Sequence, residues 1–127
     1  MENMLKNIKE VRKIMKNKSI KASNRLVLSI YKYTQHFPAE EANGLALHLR
    51  NIAVSIPENI AEGLGRSYDS ELGLFLSASK GLVSRLAYIV ELSFQLGYID
   101  ESELQDLEIK IEEVKCLLNE SIQKVAA

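Results

Sequence analysis

The chain has no tryptophan, one cysteine, two prolines and two histidines among 127 residues. Each scarcity closes off a class of protein. A single cysteine, Cys116, excludes an intramolecular disulfide and suits a reducing, cytoplasmic setting. One thiol and two imidazoles, His36 and His48, make a poor ligand set for zinc. A carboxylate-bridged metal pair in a helical protein uses Glu-x-x-His motifs. Tyr33 and Leu45 stand three residues before the two histidines, so neither motif exists. No metal and no cofactor are expected. No serine or cysteine falls in a recognisable nucleophile–base pattern, and Glu58 and Glu62, four apart, are an ordinary pair on a solvated face. The expectation is a protein that is not an enzyme.

Two prolines and six glycines also exclude low-complexity disorder. No uninterrupted apolar run approaches the ~20 residues that span a bilayer. The first residues alternate Lys with Leu, Ile and Val and have no continuous apolar segment, so neither a secretory signal nor a membrane partner is expected. No alternation of period two stands out, which removes β-structure. Gly63-x-Gly65 is not a phosphate loop, because Tyr68 occupies the place of a third glycine and no strand precedes it.

Charge is scarce in sum and lopsided in place. The net charge is −1. Met1 to Tyr33 holds nine Lys and Arg against two Glu, whereas Thr34 to Ala127 holds seven against fifteen acids. Such a split fits an anionic partner for the basic part. It fits equally well a basic segment packed on the acidic one, within a chain or between copies.

Helical periodicity is what remains, and it fills the chain. Glu2 to Lys16 carries Met4, Ile8, Val11 and Met15 on one face and Lys6, Lys9, Lys13 and Lys16 on another. Asn17-Lys18-Ser19 leaves two outcomes open: a break with Ser19 as N-cap, or a helix continuing into the next. Ile20 to Gln35 buries Ala22, Leu26, Val27, Ile30 and Tyr33, and stops at Phe37-Pro38. Ala39 restarts a helix, and a regular pattern runs from Leu45. There Leu45, Leu49, Ile52, Ile56, Ile60 and Gly63 form an apolar stripe. His48, Ser55, Asn59, Glu62 and Arg66 form a polar one, with Asn51 beside it. Short hydrogen-bonding groups replace the long charges of an ordinary outer face, which suggests a second contact surface.

Pro57 lies inside this helix and frees the carbonyl of Ala53, with Ser55 or Asn59 near enough to take it up. The pattern on both sides favours a helix that continues; two helices meeting at Pro57 are the alternative. Gly63 is placed as C-cap, and Asp69 or Ser70 as N-cap of the next helix. That helix runs from Leu72 to Phe94 and is apolar around much of its circumference, with Gly81 allowing close approach by a neighbour. The last opens on Asp100 to Glu103 and follows Leu104, Leu107, Ile111, Val114, Leu118, Ser121 and Val125. Ile109 and Cys116 lie on another side, a hint of a further contact. The fold class is all-α: an antiparallel up-down four-helix bundle over residues 19–127. It is preceded by a basic amphipathic segment, residues 1–18, that is either an extra helix or an extension.

S-I-P-E-N-I-A-E-G followed by G-R, at Ser55 to Arg66, resembles the signature of a small bacterial four-helix-bundle family. That family includes proteins encoded in intervening sequences of large-subunit ribosomal RNA genes, and is related to the accessory variability determinant of diversity-generating retroelements. Ile30-Tyr31-Lys32 with His36-Phe37-Pro38 resembles its upstream segment. Phe75-Leu76, Ala78, Gly81 and Leu96-Gly97-Tyr98-Ile99 resemble its third helix and exit. The resemblance covers Ser19 to Asp100 and departs from the family at His48, Asn51, Leu82 and Arg85. It implies the same bundle, a ring-like homo-oligomer, often a pentamer, and a link to RNA and a reverse-transcriptase-like partner.

Two readings follow. In the first, the chain is a self-associating scaffold or accessory protein that binds RNA or DNA through Lys6, Lys9, Lys13, Lys16, Lys21 and Arg25. Its signature and interface candidates are then Arg50, Ser55, Pro57, Asn59, Glu62, Gly63 and Arg66. In the second, it is a structural oligomer with no nucleic-acid role, and the N-terminal helix docks on a partner protein through Met4, Ile8, Val11 and Met15.

Overall fold

The computed structural model describes residues 2–126; the side chains of Met4, Leu5, Asn7, Asp69 and Ala126 lie outside that description. The elements are α1 (Glu2–Ile14), a π-helical turn (Met15–Ser19), α2 (Ile20–Thr34), a 3-10 turn (Ala39–Glu41), α3 (Leu45–Leu64), α4 (Asp69–Gln95) and α5 (Glu101–Ala126). No strand occurs among the described residues. Helices α2 to α5 each pack on the next in sequence, and α5 returns to α2. This is the closed arrangement of an up-down four-helix bundle.

Helix α1 does not stand apart. Its last residues run into the π-turn and then into α2 without a break. Ser19 keeps helical dihedrals, makes no cap bond and is fully buried, so it is not an N-cap. Length explains why the extension is needed. The 15 residues of α2 rise only about 22 Å, whereas the 26 of α5 rise about 39 Å. The π-turn and α1 carry the first helix along the rest of α5. Val11 and Met15 are fully buried in the same core as Leu26, Ile56 and Leu118. The docking-arm reading therefore fails for these two residues, since the surface they would offer a partner is occupied by the chain itself; Met4 lies outside the described residues.

The π-turn answers a counting problem. Nineteen residue steps separate the buried Val11 and Ile30, but five turns of regular helix take about 18. A regular helix would rotate one of the two out of the core by about 100°. The wider turn, closed by the Ile20 N–H donating to the Met15 carbonyl, absorbs the extra residue.

Helix α3 runs unbroken through Pro57. The side chains placed near the freed Ala53 carbonyl bond elsewhere: Ser55 Oγ donates to the Asn51 carbonyl at 2.7 Å, and Asn59 Nδ2 to the Ser55 carbonyl at 2.8 Å. Beside the proline, the buried Ser79 hydroxyl of α4 donates to the Ile56 carbonyl at 3.1 Å. Leu49, Ile52, Ile56, Ile60 and Gly63 are buried as their spacing predicts.

Three glycine and cap assignments are corrected by packing. Helix α3 continues past Gly63 to Leu64, and Gly65 takes the C-cap with ordinary helical dihedrals. Gly63 is needed for space: a Cβ there would sit 3.0 Å from Phe75 Cβ. Helix α4 begins at Asp69 with Tyr68 in the capping position and no side-chain cap bond. Ser70 thus lies inside the helix, and the Asp69 side chain is outside the description. Gly81 is exposed, and nothing among the described residues would lie within 4 Å of a Cβ there, so none of their helices packs closely on it. Helix α5 does have a reciprocal cap: Glu103 N–H donates to Asp100 Oδ1 at 2.8 Å, and Asp100 N–H to Glu103 Oε1 at 2.9 Å.

Candidate nucleic-acid interface

The face of α1 and α2 opposite the core is basic because the two stripes of the sequence separate cleanly. Val11, Met15 and Leu26 turn inward, while Lys6, Lys9, Lys13, Lys16 and Lys21 are all exposed. Among the described residues none of these five lysines has an ion-pair partner. Arg25 differs: its Nη2 lies 2.6 Å from Glu113 Oε1 on α5. Of the acids in the second part of the chain, Glu113 thus meets the basic face at one point. Glu112 instead accepts the weak Sγ–H bond of Cys116. Glu10 and Lys124 pair across α1 and α5 at 3.3 Å.

Arg12, which the charge pattern did not single out, ties this face to the bundle. Its Nη1 donates to the Leu64 carbonyl at 3.3 Å, where α3 ends. The last carbonyls of a helix lack internal partners and form its negative pole, so a guanidinium is well suited there.

The signature residues mostly make links within the chain. Arg50 Nε donates to Thr34 Oγ1 at 2.8 Å, and its guanidinium lies 4.7 Å from the Tyr31 ring centroid, joining α3 to α2. Glu62 and Arg66 pair at 2.8 Å. Arg66 also reaches Glu71 at 3.5 Å and lies over Phe75 at 5.1 Å, so it fastens the α3–α4 corner. Among the described residues, Ser55 and Asn59 bond along their own helix, Pro57 is half-buried, and Gly63 is buried. His48 and Asn51 are exposed, which leaves that side of α3 facing solvent in the single chain.

No arrangement suited to covalent chemistry stands out among the described residues. Cys116 is exposed, and the hydrogen bond and negative charge of Glu112 push its thiol up, away from the reactive thiolate. No group of three or more His, Cys, Asp or Glu could hold a metal among these residues. The strongest polar cluster is structural. Tyr33 donates to Asp106 Oδ2 at 2.6 Å, and Lys110 Nζ lies 2.6 Å from Asp106 Oδ1. The hydrogen bond to Asp106 pushes the Tyr33 phenol up to about 12, while Lys110 and then Tyr33 hold the Asp106 carboxyl low.

The chain also leaves apolar surface uncovered. Leu74 and Tyr88 on α4 are 71% and 69% exposed, and Ile109 on α5 is 70% exposed. Averaged over a window, Ser70–Gln95 reaches a mean hydropathy of 1.2, long and apolar enough by length and composition to cross a bilayer. In the structure it packs between α3 and α5, with Leu72, Leu76 and Leu86 in the common core.

Architecture and surface together define a helical-bundle protein with one bare basic helix face. Residues 15–120 match the sequence model of the 23S rRNA-intervening sequence protein family, and the chain belongs to that family. No curated protein matches it closely enough to count as a relative. The family match begins at the first residue of the π-turn, so α1 precedes it.

Proposed function

We propose that the protein is a non-enzymatic, self-associating scaffold that binds nucleic acid, or a nucleoprotein partner, along the outer face of α1 and α2. The observation that carries this is the row of five exposed lysines on one continuous helix. They lack acid partners among the described residues, while the reverse face of the same helix is buried. Cations without acid partners break no ion pair on meeting phosphates, and they release counterions when they do. Self-association would repeat the row and multiply phosphate contacts. The exposed Leu74, Tyr88 and Ile109 supply apolar surface for it, and the resemblance implies a pentameric ring. In that setting a reverse-transcriptase-like nucleoprotein is one candidate partner, and the exposed thiol of Cys116 suits a reducing cytoplasm.

The test is binding of the purified chain to labelled structured RNA and duplex DNA over a salt series. Binding that persists near physiological salt, with a log–log slope of several contacts, supports the proposal. Absence of binding at low salt overturns it and leaves a structural oligomer.

A further inference from the structure

The π-turn and the lysines meet at one place. Two shallow grooves flank Asn17, which lines both. In the first, Lys13 and Lys16 stand beside Leu64 of α3. In the second, Lys18 and Lys21 stand beside Leu117 of α5. All four lysines are exposed and without an ion-pair partner among the described residues. The acid in the second groove, Glu113, is already paired with Arg25.

The turn keeps this chain in register only because the chain carries a surplus residue. It absorbs one residue beyond the count that would keep Val11 and Ile30 on the core face. Regular helix one residue shorter would bury the same side chains. π-turns of this single-residue kind are found disproportionately at functional sites. Here the extra residue widens the turn on the exposed side and sets two lysines on each flank of a neutral, short side chain.

We infer that Asn17 and its four flanking lysines form a saddle over which the phosphodiester backbone of a nucleic-acid duplex crosses the first helix. This rests on the nucleic-acid reading above and names the site and ligand chemistry. From Lys13 to Lys21 the helix rises about 12 Å, a stretch of duplex axis that carries some three to four phosphates per strand. The grooves contain no aromatic side chain on which a base could stack. The saddle reads backbone, not sequence.

The experiment uses the full chain with short labelled RNA and DNA duplexes, followed by fluorescence anisotropy over a salt series. The key variant deletes Asn17. It alters no charge and turns the π-turn into regular helix with Val11 and Ile30 still inward. Circular dichroism should show an unchanged helical fold, and duplex affinity should fall on the order of tenfold. K16Q/K18Q should weaken binding similarly and lower the log–log salt slope by about two. K80Q/K115Q, on the exposed sides of α4 and α5, should change neither by more than the general loss of charge. A loss of affinity on deletion, set against binding by the parent, supports the saddle, and the duplex bound more tightly identifies its ligand.

A folded deletion variant that binds as well as the parent overturns the inference, although the nucleic-acid reading survives it. If that variant does not fold, K16Q/K18Q is compared with K6Q/K9Q. An equal or larger loss from K6Q/K9Q places the contact towards the start of α1, away from the π-turn, and again overturns the saddle. A parent chain that binds neither duplex at low salt removes both readings.

Discussion

Gly63 has no side chain because Phe75 leaves no room for one. A Cβ would meet Phe75 Cβ at 3.0 Å and Leu72 Cδ1 at 3.4 Å. Alanine at an ordinary helical position gains up to about 1 kcal/mol over glycine, but here overpacking works against it at about 1–3 kcal/mol. We expect Gly63→Ala to lower unfolding stability in urea. Gly65→Ala should not, since a Cβ there meets only carbonyl oxygens at 3.5 Å or more. A similar contrast holds for serine. Ser79→Ala removes a buried bridge to α3 and should cost about 1 kcal/mol. Ser121 buries a hydroxyl with no partner among the described residues, so Ser121→Ala should be neutral or stabilising. Tyr33 provides a pH test. Its phenol is raised from 10 to about 12, so the fold favours the protonated form. That contribution is complete below pH 10 and disappears as pH rises from 10 towards 12. Asp106 works in the opposite sense: its depressed carboxyl contributes above the ordinary carboxylate range and the contribution is lost in acid. Tyr33→Phe should flatten the alkaline decline measured by urea unfolding at stepped pH.

The first helix is the element whose role changes most between sequence and structure. Its lysine face and its apolar face are both visible in the spacing of residues 2–16, and that spacing correctly turns the lysines outward and Val11 and Met15 inward. What covers the apolar face is not visible there. The covering surface comes from α3 and α5, which are distant in sequence but adjacent in space. Met15 is fully buried against it. Met15→Ala should therefore destabilise the chain by about 2–5 kcal/mol in urea unfolding. For a free docking arm the same change would leave stability untouched, so this measurement separates the two roles directly. The π-turn was equally out of reach. Periodicity alone permits a break at Asn17 to Ser19, and only the fixed positions of Val11 and Ile30 on one core force a continuous helix to widen there.

At the scale of the whole molecule, the outer side of α4 and α5 leaves apolar side chains uncovered. Gly81 is exposed with free space around it, on a helix that also exposes Leu74 and Tyr88. In an isolated chain Gly81→Ala should raise stability by about 0.5–1 kcal/mol, the ordinary helix-interior gain. If copies associate through this side, the added methyl should instead reduce the assembled mass in light scattering. Tyr88→Glu should reduce it further while leaving the helical content intact. Unchanged mass for both variants would place the contact elsewhere.

The helices, their inward stripes and the basic first segment were determined by the sequence itself, because burial in a bundle selects a 3.6-residue spacing that each segment carries locally. The S-I-P-E-N-I-A-E-G segment likewise carried the family, since a motif is read in order along the chain. Caps and glycines were legible only in part. Asp100 and Glu103 act on each other within four residues, whereas Gly63 answers to Phe75 on another helix. Only the tertiary structure decided that α1 belongs to the bundle, that Arg25 is neutralised by Glu113 while its neighbouring lysines stay bare, and that one surplus residue opens a π-turn among them. Each depends on which distant surfaces come within a few ångströms, and spacing along one helix contains no information about the position of another.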